Sequence, residues 1–287
     1  MRIGAHVKTA GGLPTAFERA QAIGAEAIQI FGSSPQMWRT TSHPPEDIER
    51  FRALMVETGI GPVFIHGTYL VNLASADPAN LARSAGNLKY SMSLCAAIGA
   101  SGVIFHVGSH KGSGFAAVLP QMVASIRDVL GATPSDSRLV LENSAGMGGS
   151  VGSKFAELGA IIREVGRPLA DRVQVCFDTE HAYAAGYDVA SQAGLAATMA
   201  EFEREVGLAK LVAVHANDSK IPLGGGVDRH ENIGEGHIGR QGFENIMRHP
   251  AFRDLPFLLE VPGFEGDGPD KQNVDILREI RERVGLG

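Results

Sequence analysis

The chain is poor in thiols, with two cysteines, Cys95 and Cys176, in 287 residues. Each lies in an apolar run, "SLCAAIG" and "VQVCFDT", without a second cysteine nearby. A disulfide framework and a CxxC metal site are excluded, and both read as small core residues. Long hydrophobic runs are missing as well. Nothing approaches the roughly 18 apolar residues that cross a bilayer, and the opening "MRIGAHVKTAGGL" lacks the apolar stretch of a secretory signal. The expected location is cytoplasmic, with no membrane partner. Basic charge is also short, the formal net charge being −6. That sign argues against a phosphate-rich partner unless bound cations, which the count omits, reverse the balance. What remains is a chain with 44% apolar residues, enough for a sizeable core in one large domain.

A repeated unit organises it: a short apolar run, a polar or glycine-rich loop, then a longer helical pattern. The runs are "RIGAHV" (2–7), "AEAIQIF" (25–31), "GPVFIH" (61–66), "GVIFHVG" (102–108), "RLVLENS" (138–144), "VQVCFDT" (173–179), "LVAVHAND" (211–218) and "PFLLEVPG" (256–263). They lack polar alternation, as parallel strands buried on both faces do. Eight helical segments separate and follow them, several ending in Gly. Eight such units without a linker or low-complexity tract predict a single-domain (β/α)₈ barrel over 1–287. The open doubly wound sheet is the alternative, but no Gly-x-Gly-x-x-Gly turn follows the first run.

The ends of the runs carry the chemistry. His66, His106, Glu142, Asp178, His215 and Glu260 close six consecutive strands, with His181 three residues beyond Asp178. In a barrel these ends meet at one mouth, where active sites form. One buried histidine at a strand end is more often a satisfied core residue than a ligand; six polar ends in succession are not explained that way. Buried carboxylates without partners repel and cost several kcal/mol each, and cations relieve both costs. The glycine-rich loop "VDRHENIGEG" (227–236) follows the seventh strand, and in an extended D-x-H segment Asp228 and His230 face the same way. Nine candidate ligands suit three ions. Imidazoles and carboxylates without thiolate indicate zinc or manganese, zinc being favoured by the number of histidines. Three divalent ions would offset the −6 and make the mouth attractive to an anionic substrate.

With these residues assembled, the chain resembles the endonuclease IV family of apurinic/apyrimidinic (AP) DNA-repair endonucleases, almost end to end. The motifs are "IGAHVKTAGGL", "FIHGTYLVNLAS", "FHVGSH", "LENSAG", "FDTEHAYAAGYD", "HANDSKIPLGGGVDRHENIGEG" and "LLEVPG", in that order. The resemblance implies a (β/α)₈ barrel with three Zn²⁺. His66, His106 and Glu142 would hold one; Glu142, shared, with Asp178, His215 and Glu260 a second; His181, Asp228 and His230 the third. Mn²⁺ is an option at one or more positions. The implied reaction is hydrolysis of the phosphodiester 5′ to an abasic site by a metal-activated hydroxide, leaving a 3′-hydroxyl, together with cleaning of blocked 3′ ends. Glu142 and Glu260 are the implied catalytic carboxylates, Glu260 orienting the attacking water. The partner is double-stranded DNA, the protein a monomer, and no nucleotide cofactor is needed. Tyr69 and Leu70 of "HGTYL" would wedge into the duplex, although Tyr69 packing its own loop is the plainer reading. Lys220 and Arg229 are candidate phosphate contacts. Gln36 stands where many relatives carry an arginine that enters the DNA, Val107 where proline is usual, Met147 where glutamine is common, and Glu180 where cysteine is usual.

Other readings compete. "GGSVG" (148–152) fits a Gly-x-Ser-x-Gly hydrolase motif around Ser150, but lies several residues past its strand. A metal-dependent sugar isomerase or epimerase of the xylose-isomerase-like barrels needs fewer ligands than nine. A non-catalytic DNA-damage binding protein would be expected to lack a ligand, and none is missing. Among the remaining histidines, His6 and His110 are expected near the mouth, and His43 and His249 at the surface.

Overall fold

The computed structural model describes residues 1–286. Among them lie ten strands: β1 (Arg2–His6), β2 (Ala27–Phe31), β3 (Val63–His66), β4 (Gly102–His106), β5 (Leu139–Glu142), β6 (Val173–Asp178), β7 (Leu211–His215), β8 (Asp218–Ser219), β9 (His230–Glu231) and β10 (Pro256–Leu259). Eight of these close into a barrel of order β1-β10-β7-β6-β5-β4-β3-β2, every neighbouring pair parallel. The eight expected runs are these eight strands, each trimmed where the chain turns away from the sheet. The seventh run is the main revision: β7 stops at His215, and Asp218 joins a separate antiparallel hairpin with β9.

The helices ring the barrel: α1 (Thr15–Ile23), α2 (Pro45–Thr58), α3 (Pro78–Ile98), α4 (Phe115–Gly131), α5 (Phe155–Val165), α6 (Thr179–Ala184), α7 (Gln192–Glu205), α8 (Gly239–Arg248) and α9 (Lys271–Arg283). Their ends follow local chemistry. Asp77 caps α3 by accepting from the Ala79 amide, and the helix stops at Gly99 in the left-handed region. Among the described residues there is one helix more than expected. The extra one, α6, begins directly after β6 because Asp178 Oδ1 accepts from the His181 amide (2.8 Å) and so supplies the N-cap.

The absence of polar alternation in the runs now has its cause. Outward residues such as Ile28, Ile30, Val63 and Ile65 join the main core under the helices. Inward residues Ala27, Phe64, Ile104, Val140, Cys176, Ala213 and Leu258 form a second apolar cluster filling the barrel. In β1 the corresponding position is Gly4, where a Cβ would stand 2.2 Å from the Ala27 carbonyl oxygen, so β1 and β2 can approach only with glycine there. Cys95 and Cys176 are buried and free, as expected. No helix among the described residues is long and apolar enough to cross a membrane.

Candidate metal centre

Inward positions on a strand recur every two residues. Two residues beyond each member of the apolar cluster the chain places Gln29, His66, His106, Glu142, Asp178, His215 and Glu260. Two residues beyond Gly4 comes His6. The mouth is therefore the polar continuation of the barrel interior. His66, Glu142, Asp178, His181 and His215 are all buried. His181 reaches the group from α6, and His230 and Asp228 from the hairpin.

The imidazoles share a pattern. His66 Nδ1–H donates to its neighbouring Gly67 carbonyl (2.7 Å), His181 Nδ1–H to the Asn143 carbonyl (2.9 Å) and His230 Nδ1–H to the Glu260 carbonyl (3.2 Å). Since a carbonyl only accepts, the proton of each neutral ring sits on Nδ1 and Nε2 is left bare. In His215 the roles reverse, with Nε2–H donating to Gln29 Oε1 (2.8 Å). The Gln29 amide is fixed in turn, because its nitrogen donates to Glu260 Oε1 (2.6 Å).

Each free nitrogen faces carboxylate. His66 Nε2 and His106 Nε2 lie 3.3 and 3.2 Å from Glu142 Oε2, and His215 Nδ1 lies 2.9 Å from Glu142 Oε1 and 3.2 Å from Glu260 Oε2. His181 Nε2 is 3.3 Å from Asp228 Oδ2, and His230 Nε2 is 3.4 Å from Asp228 Oδ1. A lone pair so close to an anionic oxygen is repulsive unless positive charge lies between them. The titration behaviour agrees. Burial alone would lower His181, but Asp178, Asp228 and Glu142 push it well above the ordinary imidazole value. Burial likewise opposes charge on His215, which is nevertheless raised. Cys176, held neutral up to about 11 by burial, carries no charge at neutral pH, so Glu260 and Glu142 are the effective cause. Burial would raise Glu142, yet His106 and His215 take it well below the usual carboxylate range. Glu260, despite its burial, is lowered well below that range too, chiefly by His215 and His6.

The cluster thus calls for cations, and its donors fall into three sets whose ligating atoms lie within 4.8 Å of one another. They are His66, His106 and Glu142; Glu142, Asp178, His215 and Glu260; and Asp178, Glu180, His181 and His230. Nitrogen and carboxylate donors without thiolate, with the orienting N–H of His66, His181, His215 and His230 already engaged, fit zinc or a similar divalent ion. The nine expected residues are all gathered at the mouth. The third set differs from expectation by including Glu180 and Asp178, with Asp228 alongside it.

Several supporting residues escaped the sequence reading. Asn143 Oδ1 accepts from the Asp178 amide (2.7 Å), while Asn217 Nδ2 donates to Asp178 Oδ2 (2.8 Å) and Asn217 Oδ1 accepts from the Glu260 amide (2.8 Å). Buried Asp218 accepts from the amides of Ser219, Gly234, Gly236, Ile238 and Gly239, which orders the glycine-rich loop that delivers Asp228 and His230. Both asparagines and Asp218 lie inside quoted motifs, but nothing in their spacing distinguishes a clamp from a ligand.

A cavity of about 1450 Å³ opens over the centre, lined among others by Lys8, Arg19, Phe31, Tyr69 and Asp228. Of the five expected DNA contacts only Tyr69 lines it. The phenol is exposed at its edge, its ring centroid 5.3 Å from that of Phe31, and burial with Glu260 and Glu142 holds its pKa at about 12. Gln36 is exposed and Leu70 half-buried, both outside the cavity lining. Lys220 pairs with Glu231 (3.5 Å), and Arg229 folds back onto the Asp228 carbonyl (2.7 Å).

His6 is at the mouth as expected, its Nδ1–H donating to Glu260 Oε1 (2.9 Å). His110 is not. It accepts from the Gly112 and Gly114 amides in a rim turn. His43 corrects the surface expectation, being half-buried in the cavity wall with Nε2–H donating to the Gly32 carbonyl (2.8 Å). His249 is also half-buried, accepting from the Ala251 amide. Ser150 lies in a turn bridged to Ser109 and at no strand-to-helix elbow.

The chain is 38% identical to a probable endonuclease 4 from Halothermothrix orenii, over 97% of its own length and 99% of that protein's. The chain belongs to the endonuclease IV family. A family model described as a xylose isomerase-like TIM barrel also matches residues 17–282. The crystal structure of endonuclease IV from Thermus thermophilus superposes with a TM-score of 0.86 at 35% identity, covering 99% of this chain and 100% of that one. A D-tagatose 3-epimerase-like protein superposes at 0.75 with 18% identity, covering 99% and 98%, which is a likeness of fold alone.

Proposed function

We propose that this endonuclease IV family member is an AP endonuclease that hydrolyses the phosphodiester 5′ to an abasic site in double-stranded DNA, leaving a 3′-hydroxyl, and that it clears blocked 3′ ends. It acts as a cytoplasmic monomer with three Zn²⁺, Mn²⁺ serving at one or more positions, and uses no nucleotide cofactor. The observation that carries this reading is the set of buried imidazoles whose one N–H is committed to a protein oxygen while the other nitrogen is turned on shared carboxylates. That is how metal-ligating histidines are oriented, and nine candidate ligands, five imidazoles and four carboxylates, exceed what the sugar isomerase reading needs.

His66, His106 and Glu142 would hold one ion, Glu142 with Asp178, His215 and Glu260 a second, and His181, Asp228 and His230 the third. When bound, zinc polarises phosphoryl oxygen and lowers the pKa of water to near neutrality. The remaining work falls to the chain. Glu142 presents a different oxygen to each side of the cluster, Oε2 to His66 and His106 and Oε1 to His215. Glu260 is held at Oε1 by Gln29 and His6, which turns Oε2 toward His215 Nδ1 and the second ion's position, where it would also orient an attacking water. Tyr69, neutral and exposed at the cavity edge, would wedge into the duplex and stack on a displaced nucleotide. Gln36, Leu70, Lys220 and Arg229 would meet the DNA by turning outward from the rim.

The test is incision of a duplex carrying one tetrahydrofuran abasic analogue, without added magnesium. The analogue cannot undergo β-elimination, so a product with a 3′-hydroxyl on the 5′ side of the lesion must arise by hydrolysis. No incision by folded, zinc-loaded protein would overturn the proposal.

A further inference from the structure

Glu180 is fully buried on α6, two residues after Asp178 and one before His181. Its two oxygens differ. Oε1 lies 3.1 Å from Ser219 Oγ, whose one proton it shares with the Ile221 carbonyl (2.8 Å), and accepts from the Arg229 amide (3.1 Å). Arg229 separates Asp228 from His230, so this bond pins the D-x-H segment against α6. Oε2 is buried without any hydrogen-bond partner. His181 Nε2 and His230 Nε2 are buried and unpartnered as well. A Glu180 oxygen lies within 4.8 Å of ligating atoms of Asp178, His181 and His230. An unpartnered buried carboxylate oxygen is costly, and in a side chain grouped with Asp178, His181 and His230 the missing partner is a cation.

We propose that Glu180 supplies a carboxylate oxygen to the third metal position, which then has four protein ligands: Glu180, His181, Asp228 and His230. The proposal rests on the three-metal reading above. Ser219 and the Arg229 amide fix the carboxylate through Oε1, so Oε2 is the ligating atom. The same side chain then sets the loop and holds the ion, which couples ordering of the Asp228–His230 segment to metal retention.

Glu180→Gln separates the two roles. Its amide oxygen can still accept from Ser219 and Arg229, while the nitrogen that replaces Oε2 cannot ligate. Zinc-loaded native protein, E180Q and S219A are dialysed against a graded chelator series, and bound metal is counted by mass spectrometry. The native protein and S219A are expected to keep three ions at chelator concentrations where E180Q keeps two, with the E180Q affinity for the third ion at least about tenfold weaker. Three ions held equally by native and E180Q would overturn the proposal and leave Glu180 as a loop strap. Loss of the third ion from S219A as readily as from E180Q would overturn it too, since a strap bond alone would then control retention. Fewer than three ions in the native protein would overturn the three-metal reading itself, and the proposal with it; that failure is visible without any variant.

Discussion

The barrel interior has two levels built on the same strands, and they obey opposite rules. At the lower level Ala27, Phe64, Ile104, Val140, Cys176, Ala213 and Leu258 pack as a dry plug. Two residues on, the same strands carry Gln29, His66, His106, Glu142, Asp178, His215 and Glu260. The plug is stabilised by removing apolar surface from water. The mouth is a concentration of buried charge that is favourable only with compensating cations. One level holds the barrel together, while the other gathers buried charge whose desolvation opposes folding.

Substitutions at each level should separate stability from activity. The largest expected effect comes from Glu142→Gln, which removes the carboxylate shared by two ligand sets. Incision should fall on the order of 10³-fold, the equivalent of about 4 kcal/mol, with metal content reduced and the metal-free melting temperature hardly changed. One level down, Phe64→Ala should do the reverse. It costs about 3–5 kcal/mol in a urea melt, with incision at 25 °C within a few-fold of native while the protein stays folded. A large incision defect in folded F64A would dissolve the distinction between the levels.

Gln29→Leu probes the boundary, because Gln29 belongs to the mouth yet bears no charge. Losing the acceptor for His215 Nε2–H frees the wrong tautomer, so metal affinity or turnover should drop roughly 10- to 100-fold, while Gln29→Glu, which keeps an acceptor, should retain more. Equal metal affinity in Q29L and native protein would show the hydrogen bond to be incidental. The smallest effect lies at the far end of the barrel. There Glu26 accepts from the Ile3 amide (2.9 Å) and from Arg281 (2.7 Å), tying the last helix to the first strand. Burial would raise its pKa, but these partners and Arg278 bring it below the ordinary value. A depressed carboxylate stabilises above its unfolded pKa and loses that contribution as pH falls through the folded one. Glu26→Gln should therefore cost roughly 1 kcal/mol at pH 7, and the gap to native should close as pH drops below about 4. A gap that persists at pH 3 would assign the effect to packing instead.

The candidate ligands at the strand ends were readable because each is a charged or imidazole residue ending a run of Val, Ile, Leu or Phe, where a buried strand has no other reason to carry one. Asp228 and His230 stood out by crowding a loop with little to bury. Gln29, Asn143 and Asn217 were silent because a neutral amide in a strand or loop looks the same whether it clamps a ligand or faces solvent. Asp218 was hidden by standing in the same motif as candidate ligands it does not join. Glu180 was visible only as an oddity, since its two oxygens differ in surroundings and not in sequence. His43 was misplaced because a loop histidine's exposure depends on how the loop folds back.

By itself the sequence determined the eight-fold repetition, the closed barrel it implies, and the identity of the residues at the mouth, all of which follow from local periodicity and from the cost of burying charge. Only the tertiary structure decided which imidazole nitrogen is free, which carboxylate oxygen faces which ring, and that Glu180 and Gln29 belong to the centre. Those facts depend on hydrogen bonds between residues up to 254 positions apart, as between His6 and Glu260, and barrel closure alone brings such partners within reach.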